Sequence, residues 1–287
     1  MRRFIIALVA LMAAVAGRCA IIENDYFSLT TPDDSLLLSD DAGALRSLGA
    51  RAIAWRRSGE HTSELIRIDC VDGAFDPARY LQQQIVERRD RFAAGAQQLS
   101  AIADTTVCGV GGARIHFVKS QSGSNYLCTA IALQAGFTTY IIITAHRADL
   151  ADVVGYVVGT GLKLKADVTR LTTVSQLCHG AQTALQKHRL PVADNEWLTA
   201  VTEPDSLTVG LSILIPYVKA QDINVPAFVQ SMRDHWVKTF APQVRLNRLF
   251  AAIVAEQKRI RYTYLDNDGR EIGTLLILPP EYHQILK

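Results

Sequence analysis

Five cysteines and seven histidines are the side chains of this 287-residue sequence best suited to chemistry. The cysteines are Cys19, Cys70, Cys108, Cys128 and Cys178. No C-x-x-C and no H-x-x-x-H occurs, so the spacing that metal sites use is missing. Cys178 precedes His179, but neighbours on a helix point ~100° apart and do not face each other. A thiol–imidazole couple is made by proximity in space, not by adjacency in sequence. Cys70, Cys108, Cys128 and Cys178 form an even set of disulfide candidates, with three connectivities open. In an oxidising compartment each bridge would contribute ~2–4 kcal/mol. The competing reading keeps several of them as buried small apolar residues. Cys19 is left over, as a lipidation site or a free thiol.

The remaining motifs are weak. His116 alternates with Ile115 and Phe117, which places it on the opposite strand face with Arg114 and Val118. A solvated face is the expectation there, and a binding groove the alternative. His235 sits in a helical pattern and His61 in a loop. "QSGSN" (121–125) is explained as a hairpin turn rather than a nucleophile elbow. "GVGGA" (109–113) lacks the dinucleotide spacing and leads into a strand, so no helix N-terminus stands ready for phosphate. "GTGLK" (159–163) has no Walker spacing. "DNDGRE" (266–271) gathers Asp266, Asp268 and Glu271, but Gly269 comes too early for a calcium loop, and a type I′-like turn accounts for the residues. No metal, no cofactor and no catalytic residue is expected. An enzyme would need a site dispersed along the chain.

The leader is the clearest functional signal. Arg2 and Arg3 precede a 13-residue apolar run (4–16), which suits a signal peptide and falls short of the ~20 residues of a spanning helix. Ala14-Val15-Ala16 offers a small-x-small cut before Gly17. Arg18 is a poor residue to precede a lipidated cysteine, so soluble export to the periplasm is expected, with a Cys19-anchored lipoprotein as the alternative. With Arg2 and Arg3 in the leader, 28 basic residues balance 28 acidic ones. A near-neutral chain has no long-range attraction to nucleic acid or anionic lipid. No nucleic acid is expected as a partner, and a membrane only through a lipid on Cys19.

The elements read as α+β, in two domains, each an antiparallel sheet packed by helices. The first domain (21–163) opens with strands at 25–32, 51–59 and 63–72. A helix follows at 76–92, with Asp76 as N-cap and Pro77 in its first turn. A meander at 113–121, 125–134 and 138–146 and a helix at 148–162 complete it. A polar, Thr-rich stretch (162–176) divides it from the second domain (177–287). There we expect a helix from 177, a hairpin (196–203, 207–217), a helix capped by Asn224 (224–240), a helix at 248–258 and a closing hairpin (259–266, 270–278).

In the first domain, "YFSLTTPDD", the helix 76–92 and the stretch 108–154 resemble the DcrB/PsbP/Mog1-like α+β domain. That resemblance implies partner binding rather than catalysis. "RIRYTYLDNDGREIGTLLILPPEY" resembles the ending of small exported bacterial proteins of no agreed activity. Together these features lead to the expectation of a non-enzymatic binding or accessory protein of the bacterial envelope, its partner another envelope or secreted protein. An immunity or inhibitor protein against a toxin or hydrolase is the narrower alternative, and an enzyme with a dispersed site the third.

Overall fold

The computed structural model describes residues 21–31, 37–38, 52–58, 61–87, 89–90, 92–97, 99–166, 171–187, 189–193 and 196–287. The leader (1–16) and Cys19 lie outside them. In chain order the elements are β1 (Ile21–Glu23), β2 (Phe27–Thr30), β3 (Leu37–Leu38), β4 (Ala52–Ser58), β5 (His61–Asp72), α1 (Pro77–Leu81), β6 (Ala103–Val107), β7 (Val110–Gln121), β8 (Ser124–Ala135), β9 (Thr138–Arg147), α2 (Val153–Gly161) and β10 (Leu162–Leu164). Then follow α3 (Val174–Leu185), β11 (Leu190–Ala193), β12 (Glu196–Asp205), β13 (Thr208–Leu214), α4 (Val225–Leu246), α5 (Arg248–Ala255), β14 (Arg259–Leu265), β15 (Glu271–Ile277) and α6 (Pro279–Ile285). The class is α+β, as the alternating patterns imply.

The chain forms two compact units. One comprises Met1–Cys70, Leu81–Leu133 and Tyr140–Val168; the other comprises Val71–Tyr80, Gln134–Thr139 and Thr169–Lys287. Two short segments of the first half in sequence therefore belong to the second unit.

The first unit is built on a sheet in the order β3-β4-β5-β9-β8-β7-β6, beside a small sheet β1-β2-β10. β9 carries "TYIIITA", buried from Thr139 to Ala145 without alternation, as a strand covered on both faces requires. The connections of the meander are two-residue turns. Ser122 and Gly123 both take positive φ (51° and 77°), the signature of a type I′ hairpin. Cys108 and Gly109 do the same between β6 and β7 (54° and 76°). Gly112 has no room for a side chain, because a Cβ would stand 2.2 Å from the Ala132 carbonyl oxygen.

Helix α1 is shorter than its pattern. Asp76 caps it as expected, its Oδ1 accepting from the Arg79 amide at 3.0 Å. After Leu81 the backbone widens into a π turn over Gln82–Val86. Leu81 and Ile85 are fully buried, whereas Phe92 lies beyond the helix in a turn. The helix expected at 148–162 begins only at Val153, where the Asp152 carboxylate accepts from the Gly155 amide at 2.7 Å. β10 draws the start of the Thr-rich divider into pairing with β2.

The second unit has a sheet β11-β12-β13-β14-β15. Its pairs are antiparallel except β13–β14, which run parallel because α4 and α5 carry the chain across. Ile260, Tyr262 and Tyr264 point inward with Trp236 and Phe240 of α4, Leu249 and Ile253 of α5, and Leu177 and Cys178 of α3. α3 starts earlier than its apolar pattern suggested: Thr173 and Gln176 make a capping box. The Glu256 carboxylate also accepts from the Val174 amide at 2.7 Å. α4 is capped by Asn224 and runs through Pro242 to Leu246. The closing hairpin is not type I′. Only Gly269 has positive φ (76°), and the pairing slips at Tyr264/Leu265. A type I′ turn needs two such residues.

The borrowed segments are bound into this unit by backbone. Ala74 is fully buried in its core. The Asp76 amide donates to Leu246 O at 2.9 Å, and the Arg248 amide to Ala74 O at 2.8 Å. Arg79 Nη1 donates to Arg245 O at 2.7 Å. Gly180 on α3 lies against Phe137, where a Cβ would come within 2.9 Å.

Candidate functional site

The I′ turn at Ser122-Gly123 fixes the register of β7 on β8. Phe117 stands opposite Cys128, and Lys119 opposite Tyr126. Directly opposed residues share a face, so Lys119 continues the inward row of Ala113, Ile115 and Phe117. It ends that row half-buried. The Tyr126 hydroxyl donates to Thr62 O on β5 at 2.8 Å, tying the hairpin to the sheet's other strands.

A second wall comes from the turn after α1, held by buried charge. On β5, Arg67 makes two-pronged bonds to two carboxylates. Its Nε and Nη2 donate to Asp69 at 3.2 and 2.6 Å, and its Nη1 and Nη2 donate to Asp90 at 3.1 Å each. The side chains are 6%, 9% and 12% exposed. Burial pushes the guanidinium's pKa down, and the two carboxylates more than offset it, so the group stays charged above its ordinary value. Asp90 in turn accepts from the Phe92 amide at 2.7 Å. Phe92 O accepts from Lys119 Nζ at 2.9 Å, and the ammonium sits 4.4 Å from the centroid of the Phe92 ring. The Phe92 ring meets Phe117 edge-on at 6.4 Å. Thus Asp69, Arg67, Asp90, Phe92 and Lys119 form one connected chain of bonds.

These walls line an open cavity of about 400 Å³. Thr62, Glu64, Lys119, Gln121, Ser122 and Tyr126 give it polar lining, and Leu65, Phe92 and Ala145 the apolar part. Cys128 lies beneath, buried, its thiol pushed up to about 12 by desolvation against a smaller lowering from Lys119. A thiol in that state is a packing group, not a nucleophile.

The residues singled out by sequence lie elsewhere or play structural parts. No disulfide joins Cys70, Cys108, Cys128 or Cys178. Cys108 occupies the β6–β7 turn, where its Sγ donates to Leu162 O at 3.0 Å. Cys178 belongs to the second unit and is buried, its thiol raised to about 12, chiefly by desolvation. His179 beside it is exposed, as helical geometry requires. His116 is on the outer face, its Nδ1 2.9 Å from Thr129 Oγ1. The Asp266 carboxylate organises its turn, accepting from the amides of Asp268, Arg270 and Ala220 at 2.9, 2.8 and 3.1 Å. Among the described residues no group of three or more His, Cys, Asp or Glu side chains is placed to hold a metal ion. The cavity itself was not anticipated. Its sequence signal was the alternation along 113–119, which puts a lysine in an apolar register.

No helix among the described residues is long and apolar enough to cross a membrane. No protein-family model and no curated relative matches the chain. Among solved structures it is similar to a protein of Bacteroides thetaiotaomicron VPI-5482 (11% identity, 92% of this chain and 87% of that one, TM-score 0.36). It is also similar to cyanobacterial PsbP from Synechocystis sp. PCC 6803 (11% identity, 52% and 94%, TM-score 0.40). A third is LpqN of Mycobacterium tuberculosis, described as involved in cell envelope biogenesis (14% identity, 52% and 87%, TM-score 0.36). Likenesses this distant assign no family to the chain, and its functional reading rests on the site.

Proposed function

We propose that this chain is an exported, periplasmic binding or accessory protein of the bacterial envelope that works without catalysis. The observation that carries the reading is the cavity of the first unit. Its ammonium is held by a ring and a carbonyl, and that carbonyl's segment is fixed by a buried ion triad. A preformed, partly apolar cavity with a few placed polar groups is what small-ligand and partner recognition uses. The thiol beneath it is raised rather than activated. Export rests on the basic and apolar leader.

The test has two arms. Osmotic shock of cells expressing the full chain should release a protein that begins at Gly17. Affinity capture from the envelope with the released protein should recover a stoichiometric component that the Lys119→Met variant does not recover. A chain retained in the cytoplasm with its leader intact refutes the compartment. Equal capture by both proteins refutes the assignment of binding to this cavity.

A further inference from the structure

We propose that the cavity between β5, β7, β8 and the Phe92 turn is a receptor site for a small organic acid, its carboxylate seated on Lys119. The inference deepens the binding reading above by naming the ligand's chemistry. It starts from an imbalance. Lys119 is half-buried, yet among the described residues no carboxylate lies within 4.0 Å of its Nζ. The acids nearby are already engaged: Asp69 and Asp90 both face Arg67, and Glu64 has an interaction of its own.

Lys119 has three donors, and one is given to Phe92 O. The Phe92 ring faces the ammonium and stabilises the cation without neutralising it. The others remain for a ligand in the cavity. Gln121 and Ser122 flank the position with further hydrogen-bonding groups, and Leu65 and Phe92 offer an apolar wall to the body of the ligand. Glu64 also lines the cavity and is 3% exposed. Its carboxylate has an interaction of its own, so the anionic head belongs at the Lys119 end. The volume, about 400 Å³, admits a ligand of roughly a dozen heavy atoms and lies at the small end of ligand cavities.

The probes are hexanoate and benzoate, their uncharged amides, and inorganic phosphate, titrated into the full mature protein by NMR and calorimetry. At least one carboxylate should saturate with a Kd below about 10 mM, and its amide should bind at least about tenfold more weakly. Lys119→Met should lose that difference, and Lys119→Arg should keep it. Thermal melts of each variant separate lost binding from lost folding. Equal binding of acid and amide, preference for phosphate, undiminished binding in Lys119→Met, or saturation by none of the probes overturns the proposal. Envelope capture that still depends on Lys119 while no carboxylate binds would leave the broader binding reading standing and remove only the ligand class.

Discussion

Replacing Arg67 by Met tests whether the buried triad holds the cavity wall. Arg67, Asp69 and Asp90 are almost out of solvent, with side-chain exposures of 6%, 9% and 12%. The substitution keeps most of the volume and removes four charge-assisted hydrogen bonds. Breaking a buried ion pair from one side costs ~3–5 kcal/mol, because the remaining charge keeps its desolvation penalty. At about 2–4 °C per kcal/mol for a chain of this size, the melting temperature should fall by roughly 6–20 °C. Urea unfolding of both proteins at neutral pH gives the free-energy difference directly. Arg67→Lys should fall between them, since a lysine cannot make two planar two-pronged pairs. The loss should also reach Lys119, because Asp90 fixes the Phe92 amide and Phe92 O fixes the ammonium. Carboxylate affinity should therefore drop at temperatures where the variant is still folded. A stability change under about 1 kcal/mol, the level of an exposed pair, would refute the reasoning.

Three further outcomes follow from the same structure. Residues 169–287 expressed alone lack Val71–Tyr80 and Gln134–Thr139, so they should show no cooperative thermal transition; a sharp one would show that the borrowed segments are dispensable. Titration of the reduced or unreduced protein in denaturant should find Cys70, Cys108, Cys128 and Cys178 all as thiols, whereas in the native state the buried Cys128 and Cys178 should react far more slowly than in the unfolded chain; missing thiols in denaturant would contradict the structure. The Ala220 amide first, and those of Arg270 and Asp268 with it, hold the Asp266 carboxyl below its ordinary range. Its contribution is thus complete above about pH 4 and lost as pH falls through the lower folded value, so Asp266→Asn should flatten the acid limb of stability; an unchanged limb would refute it.

What the sequence revealed were the elements whose signals are local. Asp76, Asn224 and the meander's turns sit where capping and turn chemistry place them. Alternation put His116 outside and Phe117 inside. The losses occur where distant partners decide. β10 is three residues long and exists because β2 lies beside it. Helix α1 gives way to a π turn where its chain meets the Asp90 anchor, which answers to Arg67 on another element. The parallel pairing of β13 with β14 depends on where two helices deliver the chain, which no hairpin pattern encodes. The start of α3 is written in Thr173-x-x-Gln176, a capping box that lies ahead of the apolar pattern beginning at Leu177. The cavity is hidden because Lys119, Phe92 and Arg67 are ordinary residues until tertiary structure joins them.

The interleaving of the two units bears on how the chain is made. Ala74 and Asp76 must wait for Leu246 and Arg248 before their hydrogen bonds close. At ~5–20 residues per second the roughly 170 intervening residues take on the order of ten to thirty seconds to be synthesised. During that interval Ala74 and Phe137 offer apolar surface with nothing to cover it. The second unit therefore cannot complete itself vectorially as the chain emerges, whereas every residue of the first has been made by Val168. Closure of the second unit is thus timed by the arrival of Leu246 and Arg248, and a ribosome stalled short of them would hold the segments around Ala74 and Phe137 without their core.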